Sequence, residues 1–137
     1  MDTELPKAEF GFPGPLRDKL VAAILSGEKT STTGLLEHYQ REGETPDPVG
    51  ERLHVIDSEG RGVAVIEITE SEVKPMGEVD LAFAIEEGEG FETLDEWLDA
   101  HVRFFTSPEM EGPPVAIDDD SLVVCSRFRV VDRLAPP

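Results

Sequence analysis

Apolar residues recur at helical spacing between positions 16 and 25, where Leu16, Leu20, Val21, Ala23, Ile24 and Leu25 form a stripe and Gly27 follows as a C-cap. This predicts a first helix. Thr30, Ser31, Thr32 and Thr33 are β-branched or small and suit the start of a strand, while Leu35, Leu36 and Tyr39 suit a short helical turn running to Gly43. Residues 42–50, EGETPDPVG, hold two prolines and two glycines and read as a surface loop. Strand patterning resumes over 52–56 and over 62–73, where Val63, Val65, Ile66, Ile68 and Val73 sit among polar neighbours. Asp57–Ser58–Glu59–Gly60 joins the two segments as a β-hairpin. Lys74, Pro75 and Gly77 close the second strand, and Val79, Leu81, Phe83, Ala84 and Ile85 predict a helical turn.

Thr93 followed by Glu96 is a capping box, and it opens a second helix over 93–105. Its Leu94, Trp97, Leu98, His101, Val102 and Phe105 fall on one stripe, which places Trp97 in the core and makes His101 a packed, hydrogen-bonded histidine. Residues 107–120 form a loop rich in proline and acid, and 121–131 a closing strand. Residues 1–15, with Phe10, Phe12, Pro13 and Pro15 among glycines, are expected to be irregular, with phenylalanine packed on the body. The order α, β, β, β, α, β suits an α+β domain built around a curved sheet or barrel.

Length and charge narrow the picture. A chain of 137 residues fits one domain, 1–137 with its core over about 10–131, and such a domain buries roughly 68% of its unfolded surface without metal or disulfide staples. Cys125 is the single cysteine, so an internal disulfide is excluded, and its apolar strand makes it a buried thiol. The N-terminus has neither a basic nor an apolar leader region, and no apolar run approaches the roughly 20 residues of a membrane span, so a cytoplasmic protein is expected. Thirty acidic against twelve basic side chains give a net charge of −18, which disfavours tight non-specific binding of long nucleic acid and leaves room for a small ligand.

The densest chemistry lies in residues 26–34, SGEKTSTTG, where Lys29 stands among several hydroxyls. A threonine hydroxyl becomes a nucleophile when a neighbouring base takes its proton, and Lys29 and Thr32 are three residues apart. By spacing alone the stretch reads first as a polar helix-to-strand turn with a solvated lysine. The run Glu86, Glu87, Gly88, Glu89, Gly90 packs three carboxylates into five residues, where repulsion raises pKa values and one raised carboxyl would make a general acid; an exposed acidic loop ahead of a helix whose N-terminal dipole favours negative charge is at least as good a reading. Its spacing matches no calcium loop, the three histidines form no metal motif, and no metal or cofactor is expected. Arg127 and Arg129 alternate with Phe128 and share one face, either lining an anionic-ligand site or offsetting surface acids.

Taken together, ILSGEKTSTTGLL, VGERLHVIDSEGRGVAVIEITESEV, the EEGEG run, TLDEWLDAHVRFF and VVCSRFRVV resemble, in this order, one bacterial subfamily of the ASCH domain family. That resemblance implies a PUA-like β-barrel with flanking helices. It also implies one of three activities: binding RNA, hydrolysing an acetylated cytidine, or cleaving RNA, the last with a divalent metal on the acidic loop. The amidohydrolase branch implies Lys29 as base, Thr32 as nucleophile and Glu89 as acid, with Glu87 or Glu86 as alternatives for the carboxylate. Gly27, Thr30, Ser31, Glu87 and Arg127 are the accompanying ligand contacts. The implied partner is a small nucleoside or nucleotide, or a short single-stranded RNA. Where compact members of that branch have a basic residue soon after the threonine, this chain has Gly34, Leu35 and Leu36.

Overall fold

A computed structural model of the chain describes residues 5–107, 110 and 116–134. Among these described residues five strands and four α-helices follow one another as β1 (Lys7–Ala8), α1 (Pro15–Ser26), β2 (Ser31–Leu35), α2 (Leu36–Arg41), β3 (Arg52–Ile56), β4 (Gly62–Pro75), α3 (Leu81–Glu86), α4 (Leu94–Phe105) and β5 (Leu122–Arg133), with a 3₁₀ turn over Met76–Glu78. The strands form one sheet in the order β1-β3-β4-β5-β2. All contacts between neighbours are antiparallel except β1 with β3. Register shifts between Val65 and Ile66 and between Ile68 and Glu70 let the long β4 bend while it stays paired to β5. A single cavity touches both edge strands, β1 and β2, so the sheet curls on itself; the edges are not paired, and the α+β architecture is an open barrel with flanking helices.

Alternation along β5 builds two cores. Phe128 faces Phe10, Leu20, Val21, Ile24, Val55 and Ile66 under α1, whereas Val123 and Cys125, of opposite parity, join Leu35, Met76, Phe83, Trp97 and Phe105 under α3 and α4. Trp97 is fully buried, and truncating such a residue costs about 3–5 kcal/mol. Helix α1 begins with Pro15 in its first turn, where no N–H is needed, and ends at Gly27 with φ +88°, whose N–H bonds the Ile24 carbonyl. No helix among the described residues is long and apolar enough to cross a membrane.

The predicted elements and the structure differ mainly at the margins. The N-terminal segment, expected to be irregular, contributes the two-residue β1, because the Pro6 carbonyl accepts the His54 N–H at 2.8 Å; two residues are too few to show a period. Arg17 lies within the helical stripe yet is 3% exposed, its guanidinium donating to the Gly11 and Asp57 carbonyls and pairing with Glu9. Phe12 packs on Phe104 and Phe10 on Phe128. In the loop expected over 107–120, residues 108, 109 and 111–115 lie outside the described residues.

Candidate active site

Two polar loops are pressed together by backbone. After Gly27 the chain turns so that the Lys29 N–H reaches the Ala23 carbonyl, and the Thr30 N–H bonds the Glu86 carbonyl at 2.8 Å. On the other side α3 is capped at Asp80, whose carboxylate accepts the Phe83 N–H, and it closes at Glu87. Gly88 follows at φ +70°, and a Cβ there would stand 2.5 Å from the Glu28 carbonyl oxygen. Only glycine permits that approach and that dihedral together. The capping box at Thr93 then fixes the start of α4, which aims Trp97 and His101, four residues apart on one face, back at Glu87.

The result is a buried ionic cluster. Lys29 is 2% exposed; its Nζ donates to the Ser31 carbonyl at 2.9 Å and the Glu87 carbonyl at 3.3 Å, and lies 3.6 Å from Glu87 Oε1 and 3.8 Å from Glu89 Oε2. Every one of these neighbours is an acceptor, which is the setting of an ammonium. Glu87 is 1% exposed. Its Oε2 accepts from Trp97 Nε1 and from Thr33 Oγ1, each at 2.7 Å, and its Oε1 lies 3.2 Å from His101 Nε2. His101 Nδ1 sits 2.8 Å from the Trp97 carbonyl, which can only accept. Both ring nitrogens of His101 therefore face acceptors, and the ring that satisfies both is the imidazolium.

The titration behaviour follows from these contacts. Burial opposes the charge on Glu87, but the His101 hydrogen bond, the charges of Lys29 and His101 and the Trp97 N–H outweigh it and hold the carboxyl at about 2. Burial likewise pulls His101 down, and its bond to Glu87 and the charge there win, so its pKa is raised. Glu89 behaves in the opposite way: burial, only partly countered by Lys29 and reinforced by the Glu87 charge, raises it above the ordinary carboxyl value. Two carboxylates two residues apart are thus split into one held ionised well below the ordinary carboxyl range and one more ready to carry a proton.

A cavity of about 950 Å³ opens beside this cluster. Lys29, Thr32, Thr33, Glu87, Glu89 and His101 line one wall. Thr32 lies opposite Ser126 in the β2–β5 register, so the two hydroxyls share the cavity face of the sheet. Of the residues the sequence singles out, Lys29, Thr32, Glu87 and Glu89 come together here. Gly27, Thr30, Ser31 and Arg127 do not reach the cavity. Gly27 is the exposed C-cap, Thr30 points to solvent, and the Ser31 hydroxyl is spent on the Phe83 carbonyl. Arg127 is on the outer face by strand parity, bound to Glu86 at 2.6 Å and Glu70 at 3.0 Å and lying over the Phe83 ring. The sequence reading did not single out Thr33 or Ser126 and gave His101 only a packing role; a serine in the apolar run of β5 and a histidine four residues after the core tryptophan were the available signals.

Cys125 is buried, and burial pushes its thiol up to about 11, which fits an inert core residue. Lys74, Arg103, Arg127 and Arg129, the remaining cations considered for an anionic-ligand face, each pair with a carboxylate: Glu72, Asp99, Glu70 with Glu86, and Glu67 respectively.

Comparison with known proteins agrees with this frame. The ASCH domain model matches residues 8–132. A crystal structure of a protein from Enterococcus faecalis V583 aligns with a TM-score of 0.82 at 32% identity, over 97% of this chain and 80% of that one. The crystal structure of an ASCH domain from Lactobacillus crispatus JV V101 aligns with a TM-score of 0.71 at 31% identity, over 85% and 72% of the respective chains. No curated protein matches the chain. With a family match that runs from β1 into the end of β5, and with the same sheet-and-helix frame in both crystal structures, this chain belongs to the ASCH domain family and has its PUA-like fold.

Proposed function

We propose that the chain binds a nucleoside, nucleotide or modified base in the cavity and hydrolyses an N-acyl amide on it, of the kind carried by N4-acetylcytidine. ASCH domains are RNA-associated, which sets the ligand class. The observation that carries the reading is Lys29, held between two carboxylates of different protonation behaviour on the cavity wall that also bears Thr32.

The roles follow from chemistry. Transfer of a proton from the Lys29 ammonium to Glu89, 3.8 Å away, leaves a neutral amine beside a protonated carboxyl. The amine takes the Thr32 proton as Oγ1 adds to the amide carbon. The protonated Glu89 then gives its proton to the departing nitrogen, and water releases the acid from the threonine ester. Glu87, held near 2 with both oxygens engaged, keeps the cluster ionised and in place and does not exchange protons.

Purified protein incubated with N4-acetylcytidine is expected to release cytidine and acetate, and Thr32→Val to lower that rate by at least roughly 1000-fold while the fold is retained. Absence of cytidine across neutral and alkaline pH overturns the hydrolytic reading. A second reading, metal-dependent RNA cleavage, rests on the ligand atoms of Glu87, Glu89 and His101, which lie within 4.8 Å of one another. A metal there must displace Lys29 from its carboxylates, and cleavage abolished by EDTA is its signature.

A further inference from the structure

Deep in the cavity Lys29 and His101 are paired with Glu87 and Glu89. The mouth is not balanced in this way. Glu44, Asp47 and Glu51, from the loop after α2, line the cavity, and the charges acting on Asp47 are those of Glu51 and Glu44. Burial, helped by the charges of Asp47 and Glu44, pushes the phenol of Tyr39 in the same lining up to about 12. Besides Lys29, the lysines and arginines of the described lining number one, Lys7. A phosphate entering here meets several carboxylates against the single exposed Lys7, and no guanidinium.

Phe10, Tyr39, Phe104, Phe105 and Phe128 also line the cavity, among aliphatic side chains such as Leu20, Leu53, Ile66 and Ile68. Ser126, 6% exposed, lines the same space with a hydroxyl that has no hydrogen-bond partner among the described residues, so a donor–acceptor is left for a ligand. Flat aromatic faces combined with nearby carboxylates favour a delocalised cation, through the ring quadrupole and through Coulomb attraction.

We propose that the cavity selects an aromatic ligand whose ring carries a positive charge, the class being an N-alkylated cationic nucleobase, and that it rejects 5′-phosphorylated forms. The nucleobase part rests on the reading above; the sign of the charge rests on the cavity mouth alone. Neutral nucleosides enter, and a ring cation binds more tightly.

The test is calorimetric titration of the full chain with adenosine, 1-methyladenosine, 1-methyladenosine 5′-monophosphate and N-methylquinolinium. 1-Methyladenosine is expected to bind at least about tenfold more tightly than adenosine and at least about tenfold more tightly than its monophosphate. In the Asp47→Asn/Glu51→Gln double variant, checked for folding by its melting curve, the preference over adenosine should fall to about twofold or less. Adenosine or the monophosphate binding as tightly as 1-methyladenosine overturns the charge selection and leaves the nucleoside reading standing. N-methylquinolinium binding where no nucleoside does keeps the charge selection and overturns the nucleoside reading. No binding by any of the four overturns both.

Discussion

Replacing Glu87 by glutamine tests the buried cluster with almost no change of shape. The carboxylate accepts three hydrogen bonds, from Trp97 Nε1 and Thr33 Oγ1 on Oε2 and from His101 Nε2 on Oε1, and Lys29 Nζ lies 3.6 Å from Oε1 as an ion-pair partner. A glutamine offers one oxygen and one NH₂, so at least one donor is left facing a donor; His101 loses its carboxylate partner and Lys29 keeps only Glu89. Removing one partner of a buried ion pair costs about 3–5 kcal/mol. That is about a fifth or more of an ordinary domain's stability of about 5–15 kcal/mol. At about 3 °C per kcal/mol for a chain of this size, the melting temperature falls by roughly 10–15 °C.

The cost of Glu87→Gln also depends on pH, and its sign can be worked out. His101 is raised when folded, so its contribution is fully present below its ordinary 6.5 and is lost as pH rises through the folded value. Glu87 is depressed, so its contribution is present above its ordinary 4.5 and is lost as pH falls towards about 2. Between 4.5 and 6.5 both act in the native protein, and there the substitution is most damaging. At alkaline pH a neutral His101 can accept from the glutamine NH₂, and the gap narrows. Urea denaturation of both proteins across this range measures it. A loss below about 1 kcal/mol between the two ordinary pKa values, or a loss independent of pH, refutes the ionised Glu87–His101 pair.

Two further perturbations address the frame around the site. Gly88→Ala places a methyl 2.5 Å from the Glu28 carbonyl at a positive φ; the loops must separate, at about 2–4 kcal/mol, and a melting temperature within a degree or two of the native one would contradict the close approach. Cys125, buried and pushed up to about 11, should resist a thiol reagent in the native protein and react on unfolding; stoichiometric labelling under native conditions would contradict its burial.

Local patterns were readable to different depths. The capping box and apolar stripe of α4 are encoded within thirteen residues, and the structure has them where the pattern places them. Periodicity also marked His101 as buried, but it could not name the partner, because Glu87 lies fourteen positions away and reaches the ring only once α3 has closed. The choice between Thr32 and Thr33 depends on strand parity. A shift of one residue in where β2 begins exchanges a hydroxyl facing the cavity with one bound to Glu87, and sequence patterns do not fix boundaries that finely. Glu87 and Glu89 are indistinguishable by composition. The turn at Gly88 separates them, burying one at 1% exposure and leaving the other half-buried.

Strand β2 has one neighbour in the sheet, β5. Thr32 therefore waits for a strand that is ninety positions further along the chain, and so does the turn carrying Lys29, since the Phe128 N–H is what the Thr30 carbonyl bonds. Loop-closure entropy has to be met before that pairing returns anything, which makes site assembly a late step in folding. A nascent chain that has not yet released β5 from the ribosome has its lysine and threonines translated but no pocket, so any activity of this protein waits for β5 to emerge.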